Sequence, residues 1–253
     1  IWNSVGGTAW NHVLDMTDSP ATCLLPIREG VLIGTLGASL FSVIDCELKK
    51  IDSFEQVSGR DDWNTPRGGL PSVRSMSNGE TGTIFVNVHV GGILRSEDRG
   101  RTWKPTIDIG SDVHQVLFDR NSGLMLAACA KGLADSGDSG GTWVLETEGL
   151  TNSYLRSVAV SDETVLVSAS GGPESEESAI YRRPIIGDEP FSKCQEGLPE
   201  WLPKNIDTGC LAATGHEAAF GTAHGDVYAS NDDGESWSIV ANNLPEITSI
   251  TFS

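Results

Sequence analysis

The chain has 253 residues, and Asp and Glu outnumber Lys and Arg by 35 to 17, for a formal net charge of −18. A surface of that balance repels phosphate backbones, which argues against a nucleic-acid partner, and no apolar run reaches the roughly 18 residues of a membrane-spanning helix. With 29 Gly, only 3 Met and many short β-rich runs between turn residues, the composition is that of an all-β protein, read as a single domain over 1–253.

In chain order, the stretch from Ile1 to Asp15 holds Trp2 and Trp10 around a turn over 3–10 that includes Val5, Gly6 and Thr8 and keeps Gly7. It reads as the third and fourth strands of a four-stranded unit. A first complete unit follows, with strands expected at 22–26, 31–36, 39–44 and 48–54. A long linker over 55–71 carries Gly59, Pro66, Gly68, Gly69 and Pro71. The second unit is expected at 72–77, 83–90, 93–96 and 103–107, and the third at 113–118, 124–130, 133–136 and 143–146. The fourth is expected at 155–161, 164–170, 179–183 and 191–195, with a Glu-containing polar insert over 171–178. The fifth is expected at 209–214, 218–223, 226–230 and 237–241, and a last strand at 247–252.

One motif recurs between the third and fourth strands of three units. It reads Ser96-x-Asp98-x-Gly100-x-Thr102-Trp103, then Ser136-x-Asp138-x-Gly140-x-Thr142-Trp143, then Ser230-x-Asp232-x-Gly234-x-Ser236-Trp237. Asp and Ser side chains accept hydrogen bonds from turn N–H groups a few residues on, Gly supplies a positive φ, and Trp opens the next strand with a large apolar face. The acidic run from Asn231 to Glu235 superficially suggests a calcium loop, but the twelve-residue ligand spacing and its terminal Glu are absent, so the turns are read as structural. Trp103 and Trp143 are 40 residues apart, and Trp143 and Trp237 are 94 apart, or two periods of 47. Four strands repeating at that period make a propeller blade.

These motifs are those of the Asp box, or BNR repeat, and the chain resembles the Asp-box β-propellers. It is most similar to bacterial BNR-repeat proteins described as sialidase-like or glycosyl-hydrolase-like, within a wider set that includes sialidases, xyloglucanases, the sortilin ectodomain and photosystem assembly factors. The resemblance implies a propeller of four-stranded antiparallel blades. Six blades are expected: five complete, and one composite of the N-terminal strands and the final strand. A shared fold does not carry a shared function. The arginine triad, Tyr–Glu pair and early Arg-Ile-Pro motif of a sialidase are not matched. Tyr181-Arg182-Arg183-Pro184 comes late and falls on a third strand. The paired Asp residues of xyloglucanases lie across two propellers, and this chain has room for one.

Strand parity places the linkers and the turns between second and third strands on one face, and the box turns on the other. First strands line the channel of a propeller. Aligning their starts gives a column of Thr22, Arg74, His114, Arg156, Gly209 and Thr248. Arg74, His114 and Arg156 therefore share one level around the axis. They form either an anion-binding pocket, since Arg offers a planar fork to carboxylate or phosphate, or a set of cations neutralising Asp112 and Asp207 at the same mouth. His89 joins them as a metal or acid–base candidate or as a core histidine. Asp112, Asp207 and His89 are the catalytic candidates, with Asp61 and Asp62 behind them, since a glycosidase needs two carboxylates facing a pocket. Trp63, Asn64 and Trp201 are candidates to roof the pocket or to cover core.

The leading expectation is binding, with hydrolysis as an extension, of a small anionic or carbohydrate ligand at this mouth; the rival is a protein-interaction scaffold. A monomer is expected, with no cofactor, no metal and no membrane contact. The cysteines Cys23, Cys46, Cys129, Cys194 and Cys210 are odd in number, lack metal-site spacing and are expected as free thiols within strands, which favours a reducing cytoplasm. Because the first residue is Ile1 rather than Met, export stays open.

Overall fold

A computed structural model describes residues 1–253 apart from 5, 6, 8, 17, 18, 64, 66, 67 and 253. An N-terminal hairpin pairs β1 (Trp2–Ser4) with β2 (Trp10–His12). Five antiparallel sheets follow. The first blade is β3 (Ala21–Ile27), β4 (Gly30–Thr35), β5 (Leu40–Ile44) and β6 (Glu47–Lys50). The second is β7 (Val73–Asn78), β8 (Ile84–Val88), β9 (Gly92–Ser96) and β10 (Lys104–Pro105), and the third is β11 (Val113–Phe118), β12 (Met125–Cys129), β13 (Gly132–Ser136) and β14 (Val144–Glu146). The fourth is β15 (Tyr154–Ser161), β16 (Thr164–Ser170), β17 (Glu177–Pro184) and β18 (Ser192–Lys193), with the short β19 (Leu202–Pro203) added to β17. The fifth is β20 (Leu211–Thr214), β21 (Glu217–Gly221), β22 (Val227–Ser230) and β23 (Ser238–Ala241). First strands neighbour one another in the order β3, β7, β11, β15, β20, which is the arrangement of a β-propeller.

Second strands are the most buried: every residue of β8 and β12 is buried, because each is covered on both faces by neighbouring blades. Outer strands are exposed, as in Val144 and Leu145 of β14 and Ile239 and Val240 of β23. Apolar side chains fill the gaps between adjacent sheets, so the core is a series of inter-blade clusters.

The three repeated turns fold alike. Ser96, Ser136 and Ser230 are buried; each hydroxyl accepts from the N–H of the turn glycine and donates to the Asp carboxylate. Asp98, Asp138 and Asp232 each accept the N–H and the hydroxyl of the Thr or Ser four residues on. These bonds hold the three carboxyls down at about 2. Gly100, Gly140 and Gly234 have φ of 84, 82 and 78°, and the residue before each, Arg99, Ser139 and Asp233, is also left-handed. The Trp wedges inward at each turn: the Trp103 indole donates to Ser53 Oγ and the Trp143 indole to Thr106 O of the preceding blade. Among the described residues no cluster of three or more metal-ligating side chains is found at these turns or elsewhere.

Several expectations need correction. The segment over 247–252 is not a strand, and β1 and β2 pair with each other, so strand pairing does not build the composite sixth blade among the described residues. The segment is nonetheless seated beside the fifth blade, with Ile247 N–H on Thr222 O and Ile250 N–H on Gly209 O. The fourth strand of the first blade ends at Lys50, and 52–55 turns into a short helix, α1 (Asp52–Glu55), that buries Phe54 against Trp63 and Trp103. Cys46 is exposed in the β5–β6 turn rather than within a strand. The worn turn at Val5, Gly6 and Thr8, and Asn64 and Pro66 of the linker, lie outside the described residues.

Candidate ligand-binding site

Each of the first four inner strands begins with a β-bulge. Pairing skips one residue between Ala21 and Cys23, Val73 and Ser75, Val113 and Gln115, and Leu155 and Ser157. The unpaired residues are Thr22, Arg74, His114 and Arg156, which are the first four members of the sequence column. A bulge frees its extra residue from the alternation of the strand and re-aims the side chain. Here that side chain reaches toward the next blade: Thr22 Oγ1 donates to Val73 O at 2.5 Å, and His114 Nδ1 meets Leu155 O at 2.5 Å. In the fifth blade the column residue, Gly209, has no side chain, and the hydroxyl of the preceding Thr208 lies 3.0 Å from Arg156 O and 3.2 Å from His114 O.

Arg74, His89, Asp112, His114, Tyr154, Arg156 and Asp207 form one electrostatic group. His114 is fully buried, with Nδ1 committed to a carbonyl and Nε2 facing Asp112 Oδ2 at 3.7 Å. His89, just beyond β8, faces Asp112 Oδ1 at 4.0 Å, which confirms that the turns between second and third strands share a face with the linkers. Asp112 has φ of 47°, a left-handed conformation Asp tolerates, at the last linker residue before β11. The His114 imidazole, outweighing burial, holds the Asp112 carboxyl below its ordinary value. Burial first, then the charge of Arg74, pushes His89 down to about 4, so its imidazole is neutral at pH 7. Burial first, then the charge of Arg156, lowers the Arg74 guanidinium.

The two arginines differ in their partners. Arg156 pairs with Asp207 at 2.5 Å, donates to Pro173 O at 3.1 Å and lies over the Tyr154 ring. Among the described residues Arg74 Nη1 is buried and has no hydrogen-bond partner, and the same holds for Asp112 Oδ1, His114 Nε2 and the Nε of Arg156. Buried guanidinium N–H groups are costly to leave unpaired. Beside Arg156 and Asp207 a cleft of about 270 Å³ opens, rimmed by Pro173, Lys204, Asn205 and Glu246.

Trp63 does not roof this mouth. It is 6% exposed, packed on Phe54 with Arg60 over its ring, and belongs to the core between the first two blades. Trp201 likewise lies under the Lys193 ammonium against the fourth-blade core. Asp61 and Asp62 sit in a 3-10 turn of the linker. Arg182 and Arg183 are spent on Glu235 and Asp135 between blades. The residue that sequence reasoning left aside is Tyr154, whose ring lies 4.7 Å from His114; its place at the very start of a first strand was the signal.

No family model and no curated protein sequence matches the chain. Solved structures do. The GH74 xyloglucanase from Xanthomonas campestris is 16% identical over 84% of this chain and 36% of that one, with a TM-score of 0.58. YCF48 bound to D1 peptide is 17% identical over 93% of this chain and 73% of that one, with a TM-score of 0.61. PorZ of the type-IX secretion system of Porphyromonas gingivalis is 15% identical over 97% of this chain and 30% of that one, with a TM-score of 0.62. The chain thus spans well under half of the xyloglucanase and of PorZ. At these identities the likeness establishes the β-propeller fold alone.

Proposed function

We propose that this protein is an Asp-box propeller whose linker-face mouth binds a small ligand bearing a carboxylate or phosphate, such as an acidic sugar or hydroxy acid. The observation that carries this reading is the buried Arg74 Nη1, without a hydrogen-bond partner among the described residues, while both Nη atoms of Arg156 beside it are taken by Asp207 and Pro173 and only its Nε is left over. A ligand oxyanion would complete the Arg74 fork, with the neutral His89 imidazole and the Nε2 atom of His114 as further polar contacts and the Tyr154 ring as a wall. The carboxyls at the mouth suit binding rather than hydrolysis. A glycosidase acid needs a carboxyl kept protonated near neutral pH. Asp112 is instead lowered by His114, and Asp207 is held by Arg156.

The test is thermal denaturation with glucuronate, N-acetylneuraminate, citrate and inorganic phosphate. A matching anion at about a hundredfold excess over Kd raises Tm by roughly 5–10 °C. The rise disappears in Arg74→Gln and Arg156→Ala. An equal rise in Arg74→Gln, or no rise with any anion in the intact protein, overturns the reading in favour of a scaffold, the role suggested by neighbours such as YCF48, solved with a peptide.

A further inference from the structure

The opposite face, that of the box turns, carries a cavity of about 590 Å³ between the first and second blades. Its floor is apolar: Ile27, Leu32, Ile44, Ile51 and Ile84 contribute, and Ile44 is 38% exposed. Its rim is cationic. Arg28 comes from the β3–β4 turn, Arg99 from the box turn of the second blade and Arg120 from the β11–β12 turn of the third. All three are exposed. Glu29 is the one carboxylate at this rim among the described lining residues, and it pairs with Arg99 at 3.2 Å. Arg28 and Arg120 have no ion pair or side-chain hydrogen bond among the described residues.

The cationic character is local. The next cavity described on this face, of about 540 Å³ between the third and fourth blades, is lined by Asp119, Asp162 and Glu163. A chain of net charge −18 therefore brings three guanidinium groups from three different blades over the apolar floor, while the neighbouring gap is acidic. Isolated surface arginines need no explanation, but their convergence over exposed isoleucine carbon matches an occupant with both carboxylates and an apolar side chain.

We propose that this groove is a docking site for an acidic peptide segment, with its carboxylates on Arg28, Arg99 and Arg120 and an apolar side chain on the isoleucine floor. The site is separate from the linker-face mouth and does not depend on it.

The probe is a fluorescein-labelled peptide of alternating Glu and Leu, followed by anisotropy, with Gln-Leu and Lys-Leu peptides as controls. The Glu-Leu peptide binds, the controls do not, and binding weakens as salt is raised. Arg28→Ala and Arg120→Ala each lower affinity about tenfold. Both positions are exposed, so Tm stays within a degree or two and folding does not confound the result. Ile44→Asp abolishes binding, and Arg74→Gln on the other face leaves it unchanged. Three results overturn the proposal: no binding by the intact protein, equal binding by the Arg28 and Arg120 variants, or loss only in Arg74→Gln. Concentration-dependent dimerisation removed by Arg120→Ala, without peptide binding, also overturns it and assigns the groove to a second copy of the chain.

Discussion

The box turns and the channel mouth use similar side chains to opposite ends. At Asp98, Asp138 and Asp232 both carboxylate oxygens are consumed by donors within four residues of the same turn. At the mouth, donors and acceptors come from different blades, and among the described residues Arg74 Nη1, Asp112 Oδ1, His114 Nε2 and Arg156 Nε are left over. A polar network closed on itself stabilises a turn and has nothing further to offer a ligand. One left open inside a fold costs stability unless something completes it.

The largest effect that separates the two regions is loss of a box wedge. Trp237 is 4% exposed and packs edge-on to Phe220 at 4.9 Å. Trp237→Ala is expected to cost about 3–5 kcal/mol by denaturant titration, with anion binding at the mouth unchanged in the folded fraction. Next is Arg74→Met, which replaces an unpaired buried cation by a chain of similar length. It removes anion binding yet leaves Tm unchanged or higher. A marked fall in Tm would show that Arg74 holds the fold rather than a ligand.

Acid separates the regions by pH window. His89 has a folded value of about 4 against an ordinary 6.5, so the unfolded chain takes the proton first and stability falls as pH drops from about 6.5 to about 4. The box carboxyls lie at about 2 against 3.8, so their contribution is present above about 3.8 and is lost as pH falls toward 2. His89→Gln should flatten the first window of a Tm-against-pH curve, and Asp232→Asn the second. The smallest effect is in thiol labelling. Cys129, near Asp112, is pushed up to about 12 by burial, and Cys194, in the core with Trp237, to about 11. Native protein should label at exposed Cys46 alone among these three. Trp237→Ala should add Cys194 and leave Cys129 protected, as read by mass spectrometry of trapped peptides.

Much of the fold was legible because it repeats. The Ser, Asp, Gly and Trp of each box satisfy one another locally, so their spacing alone implies the turn. Inner-strand positions could be aligned because each blade restarts the same register. The bulge that makes the column at Thr22, Arg74, His114 and Arg156 project was not legible, since it depends on pairing with the second strand. Trp63 looked free for a ligand in a linker rich in Gly and Pro; its burial depends on Phe54, which a helical turn rather than the expected strand end delivers to it. The cationic groove escaped notice because Arg28, Arg99 and Arg120 belong to three blades and to turns of two kinds.

What the sequence determined by itself was the all-β blade architecture and the convergence of Arg74, His114 and Arg156, both consequences of periodicity and short-range hydrogen bonding. Tertiary structure alone decided which of those groups found a partner. Arg156 meets Asp207 from the following linker, whereas Asp112, at the end of the linker that follows the Arg74 blade, faces His89 and His114, and Arg74 meets no carboxylate within bonding distance among the described residues.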